Sequence, residues 1–175
     1  MAVVINGTSG ITGNTGTLIS ASTIGVGGTT PSASGAGITF PATQNPSSDA
    51  NTLDDYEEGT WTPTCVSTGQ TINYSTRGGT YTRIGNTVRA ECAIVISSVS
   101  GTTSGTTITG LPFANAGESY TGLGIIGYND GFAATVYSAW IQSTTGFFRA
   151  GTKSSGNDSS GFAAGYVNVV WIYKA

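Results

Sequence analysis

The chain has 175 residues and a mass of 17.6 kDa, room for one ordinary domain or one domain with an arm, and too little for a second enzyme-sized domain. Thr, Ser and Gly supply 29, 20 and 27 residues while 9% are charged, against roughly 25% in a typical globular protein, which is the composition of short strands and tight turns. Histidine is absent and the net charge is −3 with a pI near 4.6, so serine triads, Cys-His dyads, His-based zinc sites and a basic surface for nucleic acid are excluded.

The N-terminal MAVVINGTSG lacks the charged start and long apolar run of a secretory leader, and no stretch approaches the ~18 apolar residues of a membrane helix. A soluble chain made in the cytoplasm and not inserted in a membrane is expected. Residues 1 to about 52 carry Asp49 as their one charged side chain, with Ile5, Ile11, Leu18, Ile19, Ile24, Val26, Ile38 and Phe40 scattered among small residues. That is too sparse for a core, yet it is not the charge-rich composition of ordinary disorder. The segment reads as an extended Gly/Thr/Ser-rich arm, 1–52, that orders against another surface; a flexible tail is the alternative. Fully extended, ~50 residues reach about 170 Å, enough to lie across a neighbouring subunit.

Pro41 and Pro46 punctuate the join, and LDDYEEGTWTPT at 53–64 places Asp54, Asp55, Glu57 and Glu58 within five positions. From there to the C-terminus the pattern predicts a β-module, 53–175. Strands are expected at Thr71–Ser75 and Gly79–Ile84, separated by a turn at Arg77-Gly78-Gly79. In TVRAECAIVI, residues 87–96, Val88, Ala90, Cys92, Ile94 and Ile96 alternate with outward Thr87, Arg89 and Glu91, the period of a half-buried strand. Further strands are expected at Thr106–Thr109, Tyr120–Tyr128, Ala133–Gln142 and Phe147–Thr152, with turns at Gly85-Asn86, Gly101 to Gly105, Asn129-Asp130-Gly131 and Gly151 to Gly161. Asn129-Asp130-Gly131 is the best hairpin signal, because those residues tolerate positive φ. The closing YVNVVWIYK turns Val167, Val169, Trp171 and Tyr173 to one face. Eight or nine short strands and no helical period predict an all-β fold, an antiparallel β-sandwich or jelly-roll-like module. Cys65 and Cys92 form no zinc spacing and are expected to be reduced and buried.

Three segments carry a resemblance. GITFPATQNPSSDANTLDDYEEGTWTPT (37–64), GGTYTRIGNTVRAECAI (78–94) and TTITGLPFA (106–114) resemble, in that order, elements of tailed-bacteriophage virion appendage proteins, the tail fibres and related surface components. The resemblance implies a virion-surface protein assembled in the bacterial host cytoplasm. It is commonly a homotrimer, with a β-rich C-terminal module and an N-terminal region attached to other virion proteins of capsid or tail. Only some 36 residues precede the match, which favours a short fibre, spike, knob or capsid-decorating (head-fibre) protein over a long stem. Trimer formation would bury apolar surface that a thin arm cannot bury alone. The alternative function is a tail-fibre adhesin that recognises host surface polysaccharide.

The acidic cluster Asp54, Asp55, Glu57 and Glu58 offers oxygen ligands for calcium or a carboxylate pair for glycoside hydrolysis, yet lacks the spaced pattern of a calcium loop. The reading preferred here is structural, with the carboxylates capping turn amides or meeting Arg77, Arg83 or Arg89 across a trimer interface, beside Tyr56 and Trp61 at the hinge. No cofactor and no catalytic residue are expected, and the protein reads as a non-enzyme. Trp140, by its spacing from Ala134 and Val136, and Trp171 are expected in the core. Tyr120, Tyr128 and Tyr137 remain open as platforms for sugar rings. The polar stretch Gly151 to Gly161, with Lys153, Asn157 and Asp158, is either a recognition loop or a bland exposed turn.

Overall fold

The computed structural model describes residues 23–43, 46–117, 121–150 and 161–175. The chain divides into two compact units, Met1–Thr43 and Gln44–Ala175, so the composition shift near residue 52 lies inside the second. In the first unit, β1 (Thr23–Gly25) and β2 (Gly37–Thr39) form a parallel pair. Hydroxyls close it: Thr23 Oγ1 donates to Ser32 O at 2.7 Å, and Ser32 N donates to Thr39 Oγ1 at 3.0 Å. Ile24 and Ile38, paired across the ladder, are both exposed.

The second unit is all-β. Its strands are β3 (Tyr56–Trp61), β4 (Thr64–Ile84), β5 (Thr87–Thr109), β6 (Gly122–Asn129), β7 (Val136–Gln142), β8 (Thr145–Ala150) and β9 (Gly165–Lys174). They form one antiparallel sheet in the order β3-β4-β5-β8-β7-β6-β9, with β9 also paired to β5, so the sheet curls and closes as a barrel. The closure depends on β5, whose first part (Thr87 to Ile96) borders β9 while its last (Thr107 to Thr109) borders β8. One strand can serve both because the β4–β5 hairpin is bent by register shifts between Val66 and Gln70 and between Asn73 and Thr76. Gly101, at φ 94°, lies opposite Gln70 at this bend, a left-handed conformation that other residues adopt only with strain. The Gly101 to Gly105 stretch is therefore a bend within β5, where a turn between strands was expected. Arg77-Gly78-Gly79 is likewise not a turn, because β4 runs unbroken through it.

Two other expectations are corrected. Asn129-Asp130-Gly131 ends β6 without making a tight hairpin. Gly131 N donates to Tyr166 O at 3.1 Å, Tyr166 N donates to Asp130 Oδ1, and the chain is drawn onto β9. β6 meets β7 only at its far end, Gly122 opposite Ile141 and Leu123 opposite Trp140. Trp140 lies on the opposite face of β7 from buried Ile141 and stacks half-buried on Phe147, centroids 5.7 Å apart. The register shift between Val136 and Ser138 breaks the alternation that placed it inward.

The inner face is what the alternation predicts. Val88, Ala90, Cys92, Ile94 and Ile96 of β5 meet Val167, Val169, Trp171 and Tyr173 of β9, all at most 3% exposed. The Trp171 ring fills the barrel against Phe148, and side chains at Gly124 or Gly146 would collide with it, a Cβ there falling 2.5 and 2.3 Å from the ring. Both thiols are free and buried, and burial pushes each up to about 12. Tyr173 is pushed up to about 12 by the same cause.

A group whose folded pKa is raised contributes stability that is complete below its unfolded value and lost as pH climbs toward the folded one. The denaturation midpoint is therefore expected to hold to about pH 9 and fall between about 9 and 12, checked by urea titrations across that range. A thiol reagent at pH 8 should leave both cysteines unmodified until denaturant is added, and Cys92→Ser should cost about 1–3 kcal/mol, since its hydroxyl would enter an apolar layer.

Candidate functional site

Parts of the three segments that carry the resemblance, 54–61, 78–85 and 108–113, meet at one corner of the barrel. β3 lies antiparallel to β4, with Glu57 opposite Arg83, Gly59 opposite Tyr81 and Trp61 opposite Gly79, all on the inward side. Each glycine seats the aromatic ring that faces it. A Cβ on Gly59 would fall 2.6 Å from the Tyr81 ring, and one on Gly79 would fall 2.3 Å from the Trp61 indole nitrogen. Trp61 Nε1 then reaches across β4 and donates to Glu91 O on β5 at 3.0 Å. Tyr81 O–H donates to the Glu57 carboxylate, which pushes the phenol up to about 12.

Arg83 is 8% exposed and closes the corner. Its Nε stands 3.3 Å from Asp55 Oδ2 and donates to Gly85 O at 2.9 Å, while the guanidinium lies 4.8 Å from the centre of the Phe113 ring. Phe113, from the third segment, meets Tyr81 edge-on at 5.3 Å, and its backbone N donates to Tyr173 Oη at 3.3 Å. Gly85 N bonds to Asp55 O, so the hairpin turn, the start of β3 and the 111–113 segment are tied together.

The remaining candidate residues separate by location. Asp54 accepts from Ser47 N at 2.7 Å in a turn before β3. Tyr56 donates to Glu58, which raises the phenol's pKa, and both lie on the outer side of β3. Arg77 sits over Tyr74 at 4.5 Å and donates to Thr64 Oγ1 at 2.9 Å. Arg89 pairs with Glu91 at 2.7 Å on the outer face, and this bond, helped by Thr80, holds the Glu91 carboxyl below its ordinary value. Among the described residues no three His, Cys, Asp or Glu side chains gather as a metal site would require. Lys153, Asn157, Asp158 and Tyr120 lie outside the described residues, as does the side chain of Tyr137. The residues that follow 151–160 are anchored: Gly161 N donates to Thr106 Oγ1, and Phe162 exchanges two hydrogen bonds with the Gln70 amide.

Sequence reasoning missed the outer face. Thr76, Val95 and Tyr166 form one row across β4, β5 and β9. Gly78, Ala93, Asn168 and, on β6, Tyr128 form the next; Thr80, Glu91, Val170 and Ile125 the third. A trough of about 430 Å³ runs over Gly78 and Ala93, lined by Thr76, Arg77, Thr80, Glu91 and Asn168. Beside it stand exposed Leu123, Ile125, Tyr128, Tyr166 and Ile172. The signal was available in β9, whose outward residues Tyr166, Val170 and Ile172 are more apolar than a solvent face needs. Comparison with protein-family models, with curated proteins and with solved structures finds no match.

Neighbouring glycines give opposite predictions. Gly79→Ala should destabilise by about 1–3 kcal/mol, because its Cβ meets the Trp61 ring and the Glu91 carbonyl, whereas at Gly78 an added Cβ meets nothing within 4 Å and Gly78→Ala should leave the unfolding midpoint unchanged. Asp55→Ala, which strands a buried guanidinium, should cost about 3–5 kcal/mol by urea denaturation.

Proposed function

We propose that this protein is a non-enzymatic structural component of a tailed-bacteriophage virion, a trimeric short fibre, spike or capsid-decorating protein that attaches through its N-terminal arm and presents its β-module to solvent. The observation that carries the reading is the convergence of 54–61, 78–85 and 108–113 at the Arg83 corner. These segments are far apart in the chain yet pack as one unit, which supports reading the three stretches together. The disposition of carboxylates supports a non-catalytic role. Each described acid is engaged: Asp49 and Asp54 in turns, Asp55 with Arg83, Glu57 and Glu58 with tyrosines, Glu91 with Arg89 and Asp130 with the Tyr166 amide.

An arm with so little charge attaches by adding backbone hydrogen bonds to a neighbour's sheet edge and by filling shallow pockets with small apolar side chains. β3 is such an edge in this module, since among the described residues it pairs with β4 alone. Analytical ultracentrifugation of the full chain at micromolar concentration is expected to return a trimer, and a stable species of 17.6 kDa would overturn the trimeric reading. Deleting residues 1–45 should leave a soluble β-rich module that fails to join particles; incorporation at normal copy number would move attachment to the module.

A further inference from the structure

The geometry points to a carbohydrate-binding site on the outer face of the module, a trough across β4, β5 and β9 with Tyr128 and Tyr166 as its aromatic rim, that takes a short stretch of neutral or weakly acidic polysaccharide. The inference concerns the module's own surface and stands whether or not the protein belongs to a virion.

Four observations converge on a sugar. The floor is nearly side-chain-free, with Gly78 beside Ala93, and a Cβ on Gly78 would meet nothing within 4 Å, so the open space lies directly over backbone. The lining mixes donors and acceptors, the hydroxyls of Thr76 and Thr80, the Asn168 amide, the Arg77 guanidinium and the Glu91 carboxylate, and its one cation is matched by one anion, without the cationic surplus that nucleic acid would call for. Glu91 is fixed in place, taking bonds from Arg89 Nη2 at 2.7 Å and Thr80 Oγ1 at 3.1 Å, which leaves it aimed and still 43% exposed for further donors. Asn168 is fixed by donating to Cys92 O at 3.2 Å. At the rim, Tyr128 is 57% and Tyr166 36% exposed, and their rings stand 5.8 Å apart at 64°, two apolar faces with hydroxyl edges suited to sugar C–H groups.

The dimensions agree. From Thr76 to Thr80 the trough follows β4 for roughly 13 Å, the scale of a di- or trisaccharide. Glu91, paired with Arg89, is the one carboxylate in the lining, and glycoside hydrolysis needs two, so the site is read as binding a glycan without cleaving it. A peptide would seek strand pairing at a sheet edge, whereas this trough crosses the middle of three paired strands, where backbone groups are already bonded to one another.

The test uses the full-length chain. An array of bacterial O-antigen, capsular and cell-wall oligosaccharides, with gluco-, galacto- and N-acetylhexosamine series, should return at least one class that binds, to be titrated by calorimetry. Gly78→Val, which raises a branched side chain from the floor into the open space of the trough, should weaken that binding at least about tenfold with no change in thermal unfolding. Tyr128→Ala should weaken it about tenfold, and Glu91→Gln should weaken it while leaving the fold intact. No binding across the array overturns the proposal, as does binding that Gly78→Val and Tyr128→Ala both leave unchanged. If the array is silent and Tyr128→Ala instead alters the sedimentation of the protein, the face is an interface between copies of this chain. Particle labelling reports on the virion reading separately, so either can fail while the other stands.

Discussion

A guanidinium taken out of water must be matched where it lies, and the matching of Arg83 organises the barrel's corner. Burial of the charge would cost several kcal/mol if left uncompensated. Three kinds of partner offset it: the Asp55 carboxylate, the Gly85 carbonyl and the face of Phe113. Each comes from a different stretch of chain. Satisfying one side chain therefore fixes where β3 begins, how the β4–β5 hairpin turns and where the crossing segment after β5 lies. The glycine seats then set the spacing between β3 and β4, since Tyr81 and Trp61 lie flat only where the strand opposite has no Cβ.

With its turn end held, the long hairpin can bend elsewhere without losing register. The irregularities in β4 and the positive φ of Gly101 concentrate the bend near the middle, and β5 passes from β9 to β8 along one edge. The sheet closes round Trp171, and nearly all large apolar side chains of β5 and β9 that face inward become inaccessible. The outer face is left broad and regular, polar toward β3 and apolar toward β6.

The alternation in β5 and β9 was legible because both strands are regular and have one dry face, so period 2 reports burial directly. The class of fold followed from it. Glycine misled where its reason was packing: Gly78 and Gly79 read as a turn, although Gly79 is small because Trp61 lies over it and Gly78 is an open floor. The acids of 54–58 were legible as partners for turn amides and arginines, and Asp54 does accept from Ser47 N while Asp55 meets Arg83. What their charge concealed is that β3 is a strand, which buries Asp55 to 4% exposure and turns Glu57 inward to Tyr81. Trp140 was misplaced by one bulge. The trough was invisible for a different reason: its lining is assembled from β4, β5 and β9, and no local window contains it.

This arrangement separates what a resemblance can transmit from what it cannot. Asp55, Gly59, Trp61, Gly79, Tyr81, Arg83 and Phe113 all lie in the three segments, and all act inward, on the corner. A chain that keeps them keeps the barrel's geometry and is under no constraint from them about what its surface meets. The floor of the trough, Gly78, Thr80, Glu91 and Ala93, falls within the second segment because those positions are the outward alternates of the same paired strands. Its rim does not. Tyr128 and Tyr166 stand on β6 and β9, outside every segment of the resemblance, and can change without disturbing Arg83 or Trp171. The shape of that surface is set by the paired strands of the scaffold, while the side chains that border it on β6 and β9 are free of the packing that holds the corner.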